Sequence, residues 1–321
     1  MSVFWVSTAA LIALLVLLEL SLRFFLGFGH PLLYLADPQI GYLLAPNQQT
    51  RRFGNVIAIN TYSMRSSEIS PTRPKGQFRV LLLGDSIING GWWTDQSNTV
   101  SALLQQRLQP EFAASSAISS VEVLNASANS WGPRNELAYL QRFGSFEAQI
   151  LVLVINTDDL FSTVPTSDVV GRDRNYPDRK PQSAIAEVWQ RYLGNAKPIP
   201  AQVISEEQAV FEEKDRVGAN LAAIQKIQKF ALQNNANFIL VITPLLRELG
   251  SPGPRDYEQA ARQRLQTLSQ IENILLLDFL PIFNALAHPQ ALYHDHIHFN
   301  LAGNQQIAEQ VAAQIKLQVV D

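Results

Sequence analysis

Two short stretches of this 321-residue chain carry residue types whose spacing suits nucleophilic chemistry. The first is Gly84-Asp85-Ser86, which directly follows the apolar run at 78–83. Such a run predicts a buried strand, and open α/β sheets place their ligands at the carboxyl ends of strands. The second is Asp295-His296-Ile297-His298, far downstream and just before a terminal amphipathic segment. A free serine hydroxyl is a weak nucleophile and needs a base, which is itself oriented by a third group. Ser86 as nucleophile, His298 as general acid and base, and Asp295 as orienting carboxylate supply all three roles. One tight turn brings residues i and i+3 together, so Asp295 can fold back onto the other ring nitrogen of His298. The plainer alternative is that Ser86 only caps the turn after its strand.

At these residues the chain resembles the SGNH (GDSL-type) hydrolases. Gly84-Asp85-Ser86-Ile87 is similar to the first block of that family, with Ile87 where a leucine usually stands. Asp295 and His298 match the last block, Asp-x-x-His, and Phe299-Asn300-Leu301-Ala302-Gly303 continues it. The second block corresponds to Asn125-Ala126-Ser127-Ala128-Asn129-Ser130-Trp131-Gly132-Pro133, and the third to Ile155-Asn156-Thr157-Asp158-Asp159. The resemblance runs from about residue 78 to the C-terminus, as four blocks separated by unmatched sequence. It implies a three-layer αβα fold and ester cleavage through an acyl-serine, with no metal or organic cofactor.

The implied oxyanion hole departs from the family pattern. Negative charge that develops on a tetrahedral oxygen must meet fixed donors. The Ser86 backbone N–H is the first of these. The second in the family is the N–H of a glycine, and Ser130 stands at that position. A backbone donor survives the change if the chain there does not require a positive φ, and Gly132 is a fallback. The third is an asparagine side chain, where this chain has Asp158, with Asn156 two residues before it. An ionised Asp158 cannot donate and repels an oxyanion, so either it is protonated by burial, or Asn156 points in, or hydrolysis has been lost. The ordinary reading of Asn156, Asp158 and Asp159 is a polar turn that ends a strand. His294, His296 and His298 also admit a metal-cluster reading, but no partner carboxylate or cysteine elsewhere has a recognised spacing. Asp85 is expected to support its loop through hydrogen bonds.

These residues need a scaffold, and the sequence marks one. Short, continuously apolar runs at 78–83, 121–124, 150–155, 238–242 and 274–277 predict strands buried on both faces. Helical stripes alternate with them: Val217, Leu221, Ile224 and Ala231, then Tyr257, Ala261, Leu265 and Leu268. A last helix has Asn300 as its N-cap and Ile307, Val311 and Ile315 as its stripe. The pattern predicts an α/β fold, a three-layer αβα sandwich around a mostly parallel five-stranded sheet. The assignment of segments is 1–28 anchor, 29–77 connector and 78–321 catalytic domain. An insertion at 160–205 interrupts the rhythm and is expected to overhang the site as a lid, or to be a decorative loop. The connector contains Asn60-Thr61-Tyr62-Ser63-Met64-Arg65-Ser66-Ser67-Glu68, similar to stretches that precede the catalytic block in anchored members of the family. A surface loop on the domain edge is the alternative for it.

The N-terminus is apolar from 3 to 18 apart from Ser7 and Thr8, and reaches a spanning length when extended to Leu22. Glu19 and Arg23 can pair at i,i+4, and Phe24, Phe25 and Phe28 suit an interface. A cleaved signal peptide lacks its basic n-region and small-x-small site, and a buried soluble helix is the other alternative, so an uncleaved single-pass anchor is expected. Arg23, Arg51 and Arg52 favour a cytoplasmic C-terminal side. The resemblance instead favours export to the outer face of the inner membrane, which is the expectation adopted. A net charge of −3 gives no electrostatic reason to expect nucleic acid, and the absence of cysteine excludes disulfides, thiolate nucleophiles and cysteine-based zinc sites. No Gly-x-Gly-x-x-Gly follows a strand, which speaks against a dinucleotide-binding domain.

The function expected is a serine ester hydrolase acting on an acylated small molecule, envelope glycan or lipid. The alternatives are an O-acyltransferase with the same triad and a catalytically degenerate binding or assembly protein.

Overall fold

The computed structural model describes residues 2–113, 118–194 and 206–319. The chain opens with helix α1 (Ser2–Leu26) and two antiparallel hairpins, β1 (Tyr34–Asp37) with β2 (Gly41–Leu44), and β3 (Gln48–Arg52) with β4 (Asn55–Ile59). The central elements follow: β5 (Gln77–Gly84), α2 (Ser86–Asn89), α3 (Val100–Ala113), β6 (Ser120–Ser127), α4 (Pro133–Phe143) and β7 (Ile150–Asn156). After the insertion come α5 (Ala184–Val188), α6 (Glu206–Gln233), β8 (Asn237–Thr243), α7 (Asp256–Ile271), β9 (Leu275–Asp278), α8 (Phe279–Asn284) and α9 (Leu301–Val319).

Strands β5 to β9 form one five-stranded sheet in the order β6-β5-β7-β8-β9, and every neighbouring pair is parallel. They are the five apolar runs of the sequence, each shifted by at most three residues at an end. Parallel strands are covered on both faces because each crossover lays a helix on the sheet. Alternation along β5 divides the core in two. Val80 and Leu82 face the side covered by α2, α3, α8 and α9, where Leu104, Leu108, Phe279, Phe283, Ile307 and Val311 are buried. Leu81 and Leu83 face the side covered by α4, α6 and α7, where Tyr139, Leu140, Ile224, Ile227 and Leu265 are buried. Truncating one such leucine to alanine would cost about 2–5 kcal/mol, by transfer and cavity terms together.

The strand order places the first crossover, β5 to β6, on one side and the next, β6 to β7, on the other. The reversal leaves a crevice between the carboxyl ends of β5 and β7, the usual ligand position in open α/β sheets. Ser86 follows β5, and Asn156 ends β7.

Segment 29–77 is folded onto this core. Tyr34, Ile40, Tyr42, Leu44, Ile57, Ile59 and Met64 are buried in the same cluster as α4 and α6. The Asn60–Glu68 stretch closes a turn on Asn60, whose Oδ1 accepts from Tyr62 N–H (2.9 Å) and Met64 N–H (3.0 Å). Arg65 is 1% exposed and donates to the carbonyls of Asn89, Gly91 (2.8 Å) and Thr94 (2.5 Å) in the loop after α2. Burial lowers its pKa to about 10, which leaves it charged.

Helix α1 is 25 residues long, or about 37 Å at 1.5 Å per residue, against about 30 Å for a bilayer core. Its segment Val3–Leu26 is long and apolar enough to cross a membrane and is not buried against the protein. Glu19 and Arg23 pair as expected, Nε to Oε1 at 2.6 Å.

Candidate active site

Gly84 ends β5 where α2 turns back over the sheet. A Cβ there would meet Ile88 Cγ1 at 2.7 Å and the Val154 carbonyl oxygen at 2.9 Å, so only glycine admits the close return. Asp85 then caps α2, its Oδ1 accepting from Ile87 N–H at 2.8 Å. Ser86 emerges at the head of α2 and is 8% exposed.

The second half of the site is a tight loop. Tyr293 and Phe299 bridge as an antiparallel pair, and His294 N–H donates to the His298 carbonyl at 2.8 Å. Inside this loop Asp295 Oδ1 accepts from the N–H groups of Ile297 (2.9 Å) and His298 (2.8 Å). Its Oδ2 lies 2.8 Å from His298 Nδ1, and His298 Nε2 lies 2.8 Å from Ser86 Oγ. An ionised carboxylate only accepts, so Nδ1 carries the hydrogen and Nε2 is left to accept from Ser86. Burial opposes ionisation of Asp295, but the two N–H groups and the imidazole outweigh it and hold its pKa at about 2.

The three histidines of this stretch do not converge. His294 stacks on Trp93 (centroids 4.9 Å apart), His296 points to solvent, and His298 faces Ser86. Trp93 also packs against His298, with ring centroids 4.6 Å apart, and so backs the imidazole. Sequence reasoning missed Trp93. The one signal for it was an aromatic pair, Trp92-Trp93, set after Gly90-Gly91 in the loop that leaves the Ser86 helix.

The oxyanion candidates divide. Ser130 has φ 59°, the left-handed region that the glycine of the family pattern would occupy freely. Its side chain accepts from the Tyr176 hydroxyl at 2.9 Å, which ties this loop to the insertion. Asn156 is committed elsewhere: Nδ2 donates to Asp85 Oδ2 (3.0 Å) and Asp159 Oδ2 (2.8 Å), and Oδ1 accepts from Asp158 N–H (2.7 Å). Both amide hydrogens therefore serve buried carboxylates. Asp158 is exposed and lines the same cavity as Ser86 and Ser130. Burial raises the pKa of Asp85 and, well above the usual range, of Asp159, where the neighbouring Asp85 charge adds to the effect. Beneath them Glu136 is fully buried with no partner for either oxygen among the described residues, and burial pushes its pKa well up.

The cavity has a volume of about 900 Å³, and the insertion overhangs it through Arg174, Asn175, Tyr176, Arg191 and Tyr192. The last part of the expected insertion, 195–205, lies outside the described residues. The amphipathic piece at 184–193 is α5 followed by one wider turn, Trp189–Leu193.

A three-layer α/β sandwich with a serine at the first strand's end and an Asp-x-x-His loop against it defines a class of acyl hydrolases. Residues 82–306 match the profile of the GDSL-like Lipase/Acylhydrolase family, and the chain belongs to that family. Among solved structures it is similar to an α/β hydrolase from the metagenome of Lake Arreo, Spain (16% identity, 74% of this chain and 95% of that one, TM-score 0.47). It is also similar to a psychrotrophic esterase from Pseudoalteromonas sp. (16% identity, 76% and 99%, TM-score 0.46). A third is an acetylxylan esterase from Geobacillus stearothermophilus (16% identity, 74% and 94%, TM-score 0.45). No curated protein sequence matches the chain.

Proposed function

We propose that the protein is a membrane-anchored serine esterase that cleaves acyl esters through an acyl-Ser86 intermediate. The observation that carries this reading is the unbroken chain of 2.8 Å contacts from Ser86 Oγ through the His298 ring to Asp295. Ser86 Oγ attacks the ester carbonyl while its proton passes to His298 Nε2. The tetrahedral oxygen is met by the backbone N–H groups of Ser86 and Ser130. Collapse breaks the bond to the alcohol oxygen, which takes the proton from His298. Water then attacks the acyl carbon, gives a proton to His298, and the acid leaves as that proton returns to Ser86. Positioned proton transfer of this kind contributes roughly 10²–10⁴-fold. Helix α1 holds the catalytic domain at the outer face of the inner membrane, on an acylated glycan or lipid.

The test is p-nitrophenyl acetate turnover by the wild type and by Ser86→Ala, with a fluorophosphonate probe alongside. Ser86-dependent turnover and labelling that His298→Ala abolishes are expected. Equal turnover by wild type and Ser86→Ala would overturn the assignment. The same triad would serve acyl transfer, a second reading, if an alcohol rather than water resolved the acyl-Ser86 intermediate. Acylated glycan from an acetyl donor, rather than free acetate, would establish transfer.

A further inference from the structure

The cavity that holds Ser86 extends well past the space a small acyl group fills. Its far end is lined by Phe28, Arg52, Phe53, Arg191 and Tyr192. These residues surround the point where α1 ends. Phe53 N–H donates to the Leu26 carbonyl at 3.1 Å. Glu19, near the end of α1, accepts the N–H groups of Ala184 (2.8 Å) and Ile185 (3.0 Å), so the apolar helix itself caps α5 of the insertion. Around this junction Phe24, Phe25, Trp92, Tyr192 and Leu193 are exposed, at 76%, 69%, 48%, 64% and 66%. Aromatic rings concentrate where a spanning helix leaves the hydrocarbon, so this end of the cavity sits at the bilayer surface.

The charges along the cavity are polarised. Near Ser86 its lining carboxylates are Asp85, Asp158 and Asp159, whereas the far end carries Arg52, Arg174 and Arg191. Behind these three cations lies Glu187, which accepts from Arg52, from Arg191 Nε (2.8 Å) and from Gly29 N–H (2.6 Å). Arg174 donates to the Arg191 carbonyl. Arg52 is 7% exposed, its guanidinium lies 4.3 Å over the Phe28 ring, and its Nη1 has no hydrogen-bond partner among the described residues. One carboxylate cannot neutralise three guanidiniums, so this end of the cavity keeps a net positive charge that an anion would balance.

We infer that the far end of the cavity is a subsite for the anionic head group of a membrane-resident ester. Arg52 holds the head group together with Arg174 and Arg191, the apolar part of the molecule stays in the bilayer beside α1, and the ester carbonyl reaches Ser86. This deepens the esterase reading and rests on it for the chemistry. It does not rest on it for binding.

Binding is measured first, by calorimetric titration of the full chain in nonionic detergent with glycerol 3-phosphate and with glycerol. Glycerol 3-phosphate is expected to bind, glycerol not, and Arg52→Gln to weaken binding by roughly ten- to a hundredfold, with partial recovery in Arg52→Lys. Should Arg52→Gln fail to fold, Arg174→Gln, at an exposed position, is expected to weaken binding several-fold. No binding by the wild type, or equal binding by the variants, overturns the subsite. Turnover is then compared on phosphatidylglycerol vesicles, phosphatidylcholine vesicles and the soluble dibutyryl ester of glycerol 3-phosphate. A preference for phosphatidylglycerol that falls at least about tenfold in Arg52→Gln supports the inference. Equal rates on the soluble anionic ester overturn the membrane as source. Ser86-dependent hydrolysis of p-nitrophenyl acetate without any anionic preference overturns the inference alone. Loss of Ser86 dependence overturns the esterase reading, and the titration still decides the subsite.

Discussion

Replacing Asp295 by asparagine reverses one hydrogen bond at a known place. Asp295 Oδ1 is fixed by two backbone N–H groups, at 2.9 and 2.8 Å. The asparagine must keep its carbonyl oxygen there, because its NH₂ would clash donor to donor. Its Nδ2 then occupies the Oδ2 position, 2.8 Å from His298 Nδ1. Two donors cannot share that contact, so the neutral imidazole moves its hydrogen to Nε2. Nε2–H then faces Ser86 Oγ and can no longer take its proton. A wrong tautomer in an otherwise intact serine–histidine pair costs roughly 10⁴ in kcat, about 5.4 kcal/mol. Stability should change far less. The difference between an ordinary aspartate at 3.8 and about 2 corresponds to roughly 2.4 kcal/mol at neutral pH. Because the carboxylate is 36% exposed, solvent screening reduces this to about 1 kcal/mol. That stability is present above the ordinary aspartate value and is lost as the pH falls toward about 2, the depressed-carboxylate sign. Steady-state kcat on p-nitrophenyl acetate, with a thermal midpoint measured on the same sample, separates the two effects. Less than a tenfold fall in kcat with an unchanged midpoint would mean that another group orients His298.

Three further outcomes are expected. Asp158→Asn replaces a carboxylate by a donor in the cavity that holds Ser86; if Asp158 faces the oxyanion at about 4 Å, loss of a repulsion of about 1 kcal/mol in water raises kcat at least roughly fivefold, and an unchanged or lower kcat would assign Asp158 a different role. Ser130→Gly suits the left-handed backbone and should hold kcat within about twofold, whereas Ser130→Val, β-branched at φ 59°, should displace the N–H and cost up to roughly 10²-fold; equal kcat in the valine variant would remove this N–H from the oxyanion hole. Glu136→Met removes an unpartnered buried carboxyl whose raised pKa makes the folded state lose stability as pH rises past the ordinary glutamate value, so the variant's thermal midpoint should exceed the wild type's by several degrees at pH 8 and by less at pH 5, for a gain of about 1–3 kcal/mol. A midpoint difference that is independent of pH would show that Glu136 does not titrate as placed.

The sheet was legible because continuous apolar runs bounded by polar turns have few other buried uses, and the local spacing of Asp295 and His298 showed how those two would meet. The antiparallel hairpins were not legible. β3 reads Gln-Gln-Thr-Arg-Arg, and its polar side chains find partners far away, as Arg52 does with Glu187. The left-handed backbone at Ser130 was posed only as a condition, since nothing in a serine's chemistry announces it. Asn156 illustrates the limit of motif reading. Its residue type suits an oxyanion donor, but its amide hydrogens go to Asp159, three residues on, and to Asp85, the latter a commitment visible only once β5 and β7 lie side by side.

Arg65 sets a physical boundary that differs from the homologous one. The family match begins at residue 82, yet the loop that leaves the Ser86 helix takes its shape from a cation seventeen residues upstream of that point. Excision at the homologous edge would strand the Asn89, Gly91 and Thr94 carbonyls without their common donor, and Trp93, which backs His298, sits among them. The unit that could be grafted onto another leader therefore begins upstream of Arg65, and the burial of Tyr34, Tyr42 and Leu44 in the same core carries its edge back to the first hairpin. Recombination that kept the four motif blocks and exchanged everything ahead of them would transplant the reactive residues without the clamp that shapes their loop.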